Sequence, residues 1–369
     1  MEERGWEIFA SEDDEPDKDS EVFFNPEMRL NRDVSEVAVR VFRQKIDVDY
    51  FRVCDALSAS GIRGFRYSDY SDTLHLNDIN PEAVRRLDKG LRSNDIEAET
   101  FNQDANTHLS KHRNFYNFID VDPFGSFTRF LDSTARAANH QSFVGLTATD
   151  NGPVSGSYPK VCRRRYGSKP LRNSLMHETG LRIYIKEVFQ NFARFDKCFD
   201  PKICFQHRHY SRLMGRVTES KSRCNKNLEN IGYMTFCSDC RWRTLERKSQ
   251  CEYCSSSNVT YAGPLWTGSI GDQRFISDMI DEIPGDWSKA LKLLENLNDE
   301  VQVRTPFYDI HKMASEVDVQ APKTSDTVDR LEEKGYIVSE THFEPTGVRT
   351  DAPFEEVRNV IKEESTSRT

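Results

Sequence analysis

The chain has 369 residues, 60 of them acidic and 51 basic, for a formal net charge of −9. That length allows two domains and a sizeable buried core, and no apolar run approaches the roughly 18 residues of a membrane helix. The acidic start lacks the basic-then-apolar pattern of a signal peptide, and an odd total of nine cysteines argues against a secreted disulfide framework, so a cytoplasmic location without membrane contact is expected.

Residues 1–20 read as an acidic disordered tail, because residues 1–21 hold ten Asp/Glu against two Lys/Arg. A strand-turn-helix follows from Glu21 to about Gln44, with Val34, Val37, Ala38, Val41 and Phe42 at helical spacing on one face. Short apolar strands are then predicted at 50–54, 73–77, 98–102, 117–121 and 142–148. Amphipathic helices are predicted between them at about 61–70, 80–93, 105–113 and 127–138. This alternation implies right-handed crossovers and a mostly parallel sheet covered on both faces, a Rossmann-like α/β arrangement. In such sheets ligands bind at the carboxyl ends of the strands.

From Ser157 to about Gly215 the chain is basic, first helical and then extended. Residues 160–248 hold 21 Lys/Arg against eight Asp/Glu. A basic middle in an acidic chain suits a polyanion-binding face. Residues 233–262 form a cysteine-rich element with strand-like flanks. After Pro284, helices at 286–300, 307–317 and 325–334 precede strands at 336–340 and 347–350, an order that resembles a winged helix. A domain boundary is expected near 265–284.

The strand ends carry the chemistry. The first runs into Asp55-Ala56-Leu57-Ser58-Ala59-Ser60-Gly61-Ile62-Arg63-Gly64, a loose glycine loop that lets a ligand approach the backbone. The second ends at Asn77-Asp78, where an acidic side chain suits ribose hydroxyls. Asn80 is the better cap for the following helix, which leaves Asp78 for a ligand. After the third strand, Asp104 suits either an adenine amino group or a helix cap, and Ala105 follows it.

The fourth strand ends in Asp120-Val121-Asp122-Pro123-Phe124-Gly125. An exocyclic amine on a base is a poor nucleophile, because its lone pair is delocalised into the ring. A carboxylate and a backbone carbonyl can hold its two hydrogens, proline offers a carbonyl without a competing N–H, and an aromatic ring can stack on the base. Asp122, Pro123 and Phe124 therefore form the candidate catalytic group for methylating a base amine.

Several ordered blocks resemble the tRNA (guanine-26) dimethylguanosine methyltransferases, in their archaeal form. They are Phe23-Phe24-Asn25-Pro26-Glu27-Met28, Asn31-Arg32-Asp33, the loop from Asp55 to Gly64, Leu76-Asn77-Asp78 and Asp120 to Ser126. Further blocks are Thr147-Ala148-Thr149-Asp150, His177 to Arg182 and Thr341 to Gly347. The resemblance implies transfer of one or two methyl groups from S-adenosylmethionine to the exocyclic amine of guanine at position 26 of tRNA. It implies a Rossmann-like class I methyltransferase domain over 21–270, with a zinc-ribbon-like insertion at 233–262. A smaller α+β, winged-helix-like C-terminal domain peculiar to the family would follow over 271–369. Arg32, Arg63, Asp78 and Asp104 would bind the cofactor, with Asp55, Gly61 and Ala105 beside them. Asp122 would hold the amine while Phe23 and Phe124 flank the guanine. A DNA amino-methyltransferase is one alternative, although the second proline of that class is missing. A non-catalytic zinc-ribbon RNA-binding protein is another.

Cys237-x2-Cys240 and Cys251-x2-Cys254 have the spacing of two zinc knuckles. Four thiolates leave no open position, so a structural Zn2+ is expected. Arg241, Arg243, Arg247 and Lys248 beside it, with Lys160, Arg163, Arg164, Arg165, Lys169, Arg208, His209, Arg212 and Arg216, are candidates for tRNA phosphate contacts. Nothing in the sequence points to an obligate protein partner.

Overall fold

The computed structural model describes residues 1–11 and 22–366. β1 (Glu2–Glu3) and β2 (Trp6–Glu7) pair as a hairpin. Its two turn residues, Arg4 and Gly5, both have positive φ (54° and 86°), as a tight primed turn requires. Glu3 is buried and accepts hydrogen bonds from Arg32 Nε and Nη2 and from Arg66 Nη1. The expectation of a disordered tail is thus corrected for residues 1–11. Net charge counted along the chain does not register that one acidic side chain has two buried arginines to neutralise it. Residues 12–20, the rest of that expected tail, lie outside the described residues.

α1 (Arg29–Lys45) buries the predicted face. Then come β3 (Arg52–Asp55), α2 (Ile62–Tyr67), β4 (Thr73–Asn77), α3 (Pro81–Ser93), β5 (Glu99–Phe101), α4 (Ala105–Lys111), β6 (Tyr116–Val121), α5 (Leu131–Ala137) and β7 (Ala138–Ala148). The predicted alternation is present. The helices predicted at 61–70 and 127–138 are shorter, each joined to a single 3-10 turn.

The basic middle folds as α6 (Asn151–Val154), α7 (Pro159–Tyr166), α8 (Met176–Ala193), β8 (Lys197–His207), β9 (Tyr210–Glu219) and α9 (Lys221–Asn227). β8 and β9 are antiparallel and complete a seven-stranded sheet of order β5-β4-β3-β6-β7-β9-β8. Pairs from β5 to β7 are parallel, and β7 pairs antiparallel with β9. Chain order reverses at β3, so the crevice for a ligand lies at the carboxyl ends of β3 and β6.

β10 (Ile231–Cys237), β11 (Arg243–Thr244) and β12 (Val259–Trp266) form a separate three-stranded sheet. α10 (Gln273–Glu282) and α11 (Ser288–Glu300) follow and pack on α1. Their apolar side chains, including Phe275, Leu294 and Leu297, join the core beneath the main sheet. The chain ends with β13 (Tyr308–Asp309), α12 (Ile310–Glu316), α13 (Thr324–Glu333), β14 (Val338–Thr341), β15 (Glu344–Thr350) and α14 (Phe354–Thr366). β13, β15 and β14 make a third small antiparallel sheet. The three helices and two strands expected after Pro284 are present as α11, α12, α13, β14 and β15, and α14 is an addition. Among the described residues no helix is long and apolar enough to cross a membrane.

Candidate active site

At the carboxyl ends of β3, β4 and β6 lies a cavity of about 610 Å³. Leu57 to Ser60, Arg63, Asp78, Asp122, Pro123, Phe124 and Phe23 line it. Arg32 also lines it. The loop after β3 turns at Ala59 (φ 45°) and Gly61 (φ 83°). A Cβ on Gly61 would meet the Leu87 and Phe65 side chains at 2.5 and 2.6 Å, so glycine is required for both conformation and space.

Asp122 Oδ2 accepts a hydrogen bond from Arg63 Nε at 2.7 Å. Arg63 Nη2 donates to Asn31 Oδ1 at 2.9 Å, which locks the guanidinium against α1. Beneath it, Asp120 is fully buried and takes a two-pronged bond from Arg212, with Nη1 on Oδ1 and Nη2 on Oδ2, both at 2.8 Å. Tyr67 donates to the same carboxylate. Burial alone would raise the Asp120 pKa, but Arg212 and Arg63 outweigh it and hold the carboxyl below its ordinary value. After Pro123, Gly125 N–H donates to Thr149 Oγ1 (2.8 Å) and Thr149 N–H donates to the Gly125 carbonyl (2.9 Å). This double tie to the end of β7 fixes the Asp122–Gly125 turn.

Phe23 and Phe124 meet edge to face with centroids 4.7 Å apart. Phe124 is 54% exposed, which marks it as the mouth of the cavity. From the sequence, these rings are expected to flank a base. They touch instead, so a base entering between them parts them.

The other candidates divide. Asp78 lines the cavity, but contrary to the expectation from sequence it is not left free for a ligand. Its Oδ2 accepts from Ala59 N–H and its Oδ1 from Asn80 N–H, each at 2.8 Å. It thereby holds the glycine loop, while Asn80 caps α3 as expected. Arg32 has its guanidinium committed to Glu3. Asp104 caps α4 by accepting from Thr107 N–H. Asp55, Gly61, Asp104 and Ala105 do not line the cavity. Arg129, on the turn before α5, and His209, at the β8–β9 turn, do line it. Arg129 carries no signal in the sequence, and His209 reads there only as a candidate tRNA phosphate contact.

Asp55 is buried, and that burial, followed by the Asp120 carboxylate beside it, raises its carboxyl to about 8. It is therefore neutral at neutral pH. In the unfolded chain it ionises near its ordinary value of about 4. Its contribution to stability is complete below that value and falls as pH rises toward 8. Asp55→Asn keeps a neutral group in place. The variant is expected to lose less thermal stability between about pH 5 and pH 8 than the parent. Melting curves at the two pH values check this, and an equal loss in both proteins overturns it.

Comparison with known proteins gives the context for this geometry. A family model described as N2,N2-dimethylguanosine tRNA methyltransferase matches residues 7–362. The chain belongs to this family. It is 38% identical to the tRNA (guanine(26)-N(2))-dimethyltransferase of Methanothermobacter thermautotrophicus, with 92% of each chain covered. It is 35% identical to that of Methanobrevibacter smithii, over 100% of this chain and 98% of the relative. Among solved structures it is similar to Trm1 from Pyrococcus horikoshii in complex with S-adenosyl-L-methionine. The TM-score there is 0.84 and identity 31%, with 94% of this chain and 96% of the other covered.

In this member of the dimethylguanosine methyltransferase family, Cys237, Cys240, Cys251 and Cys254 converge between β10 and β12. Cys237 Sγ lies 3.7 Å from Cys254 Sγ, and Cys240 Sγ lies 3.5 Å from Cys251 Sγ. A tetrahedron with zinc–sulfur bonds of ~2.3 Å has edges of about 3.8 Å, so the four thiols fit a structural zinc. Cys237, Cys240, Trp242 and Cys251 share an apolar cluster with Tyr308, Ile310, Met313 and Val357. Zinc chelation is therefore expected to lower the thermal midpoint, and added Zn2+ to restore it. A melt indifferent to the chelator would contradict a structural zinc.

Several arginines expected on an RNA face lie inside instead. Arg212 pairs with Asp120, and Arg243 is buried with its guanidinium over the Tyr308 ring at 3.4 Å. Arg208 stays exposed but is paired with Glu27. In contrast, Lys160, Arg163 and Arg164 on α7 are exposed. The last residue of α7, Tyr166, bonds through its hydroxyl to Ser126 and Asp150, beside the Asp122–Gly125 turn.

Proposed function

We propose that the chain transfers one or two methyl groups from S-adenosylmethionine to the exocyclic amine of guanine at position 26 of tRNA. The observation that carries this reading is the Asp122-Pro123-Phe124 turn, held by Arg63 and Thr149 at the mouth of a cavity it shares with the glycine loop. A space of about 610 Å³ suits a nucleoside cofactor together with part of a base. Ser58, Ala59, Asp78 and Arg32 would hold the cofactor, which when bound supplies an electrophilic methyl group.

Because Arg63 occupies Asp122 Oδ2, Oδ1 is left to accept one N–H of the amine. The backbone carbonyl beside Pro123 accepts the other. Two acceptors draw the nitrogen toward a tetrahedral shape and free its lone pair. Asp122 or water takes the proton that the nitrogen loses. Rate acceleration comes mainly from this positioning. Phe124, Phe23 or both stack on the guanine, and the exposed side chains of α7 contact tRNA phosphates. Residues 21–270, with the zinc element at 233–262, form the methyltransferase domain; of the family-specific part over 271–369, α10 and α11 pack into its core, and the elements from β13 onward form the winged-helix-like part that helps dock the tRNA. The reading places the protein in the cytoplasm.

Labelled S-adenosylmethionine and unmodified tRNA test this. Label in N2-methylated guanosine is expected, and it is lost when position 26 is changed from guanine to adenine. Label that persists after that change overturns the assigned target.

A further inference from the structure

The outer edge of the sheet carries three histidines that play no part in the cavity. His75 lies on β4, and His108 and His112 lie one turn apart on α4 and its C-cap. One nitrogen from each ring falls within 4.8 Å of the others. Glu99 on β5 is the register partner of His75, and its carboxylate lies 3.7 Å from His75 Nε2.

The hydrogen bonds already present orient the rings. His112 Nδ1 is 2.8 Å from the His108 carbonyl, which can only accept, so Nδ1 carries the proton and Nε2 keeps its lone pair. That is the usual support for a metal-ligating imidazole. The Tyr116 hydroxyl lies 2.9 Å from His75 Nδ1 and 2.8 Å from His108 Nε2. It engages one nitrogen of each ring and leaves His75 Nε2 and His108 Nδ1 over. His108 is fully buried, and its Nδ1 has no hydrogen-bond partner. A buried polar atom without a partner is costly and calls for a ligand.

We propose that His75, His108 and His112, with Glu99 as the fourth ligand, form a zinc site separate from the four-cysteine element. Three imidazoles and a carboxylate suit Zn2+ in a tetrahedral arrangement. Bonds of ~2.0–2.1 Å in a tetrahedron put the nitrogens about 3.3–3.4 Å apart, so the three rings would draw closer together around the ion. Glu99 is mostly exposed, so it can swing in and ion entry is open from that side. The ion would pin β4, β5 and α4 together behind the elements that carry Asp78 and Asp104.

The full-length protein, saturated with Zn2+ and then equilibrated in weakly chelating buffer, tests the site. Two zinc ions per chain are expected, with X-ray absorption showing both sulfur and nitrogen/oxygen ligands. His112 is only half-buried, so His112→Ala is expected to keep its circular dichroism and its methyl transfer while losing one zinc equivalent. Glu99→Gln, at an exposed position, is expected to weaken retention of the same ion at least tenfold. One zinc per chain with sulfur ligands alone, or two zinc ions in both parent and His112→Ala, overturns the proposal. The cluster would then be aromatic packing among His75, Phe101, Phe115 and Tyr116.

Discussion

Asp122→Ala is expected to lower the rate of methyl transfer by at least about 10³-fold. The affinity for S-adenosylmethionine is expected to stay within about threefold of the parent. The two readouts separate under the proposed function, in which Asp122 holds the amine while Ser58, Ala59 and Asp78, which also line the cavity, hold the cofactor. Arg63 stays in place without its partner. It keeps its bond to Asn31, and Asp120 lies 3.7 Å from its Nη1. Asp122→Asn sharpens the test, since it keeps the shape and removes the charge. Single-turnover rates and calorimetric titration of the cofactor check both variants. Transfer near the parent rate in Asp122→Ala would mean that another group holds the amine.

Arg212→Ala is expected to cost about 3–5 kcal/mol of folding stability, because it strands a buried carboxylate. For a protein of this size that lowers the thermal midpoint by about 4–6 °C. Asp120 would be left with Tyr67 and a share of Arg63. Arg63 would then be drawn toward Asp120 and away from Asp122, so the rate of transfer should fall with stability. A loss below ~1 kcal/mol would place the pair among weak surface bridges. Chemical denaturation with activity measured in parallel decides the matter.

The parallel part of the sheet was legible because strands and helices alternate with clear apolar periods, and because a parallel sheet directs attention to strand ends. Asp122-Pro123-Phe124 and the glycine loop followed from that rule alone. Arg212 was not legible. It lies 92 residues from Asp120 in sequence, and in isolation an arginine in a basic stretch looks like a surface charge. The clue was Gly145 in the middle of β7, where any side chain would strike the Arg212 guanidinium at 2.4 Å. The first eleven residues were misread for the same reason. Glu3 acquires its meaning only from Arg32 and Arg66. Asp78 lines the cavity, but its use as a clamp on the loop depends on backbone N–H directions that no residue pattern reveals. α14 was missed because the winged-helix pattern accounted for the preceding elements and left none to expect.

The contact between Phe23 and Phe124 has a thermodynamic consequence for the target. An edge-to-face ring pair contributes about 0.5–1.5 kcal/mol beyond area burial. A guanine that slips between the rings gives up that contact before gaining its own stacking of about 1–3 kcal/mol per base. The net attraction is therefore smaller than two stacked faces suggest. A nucleotide that must also leave a stable helix gains too little to stay. Under the proposed function the resting mouth would thus act as a threshold that favours guanines whose pairing is already loose.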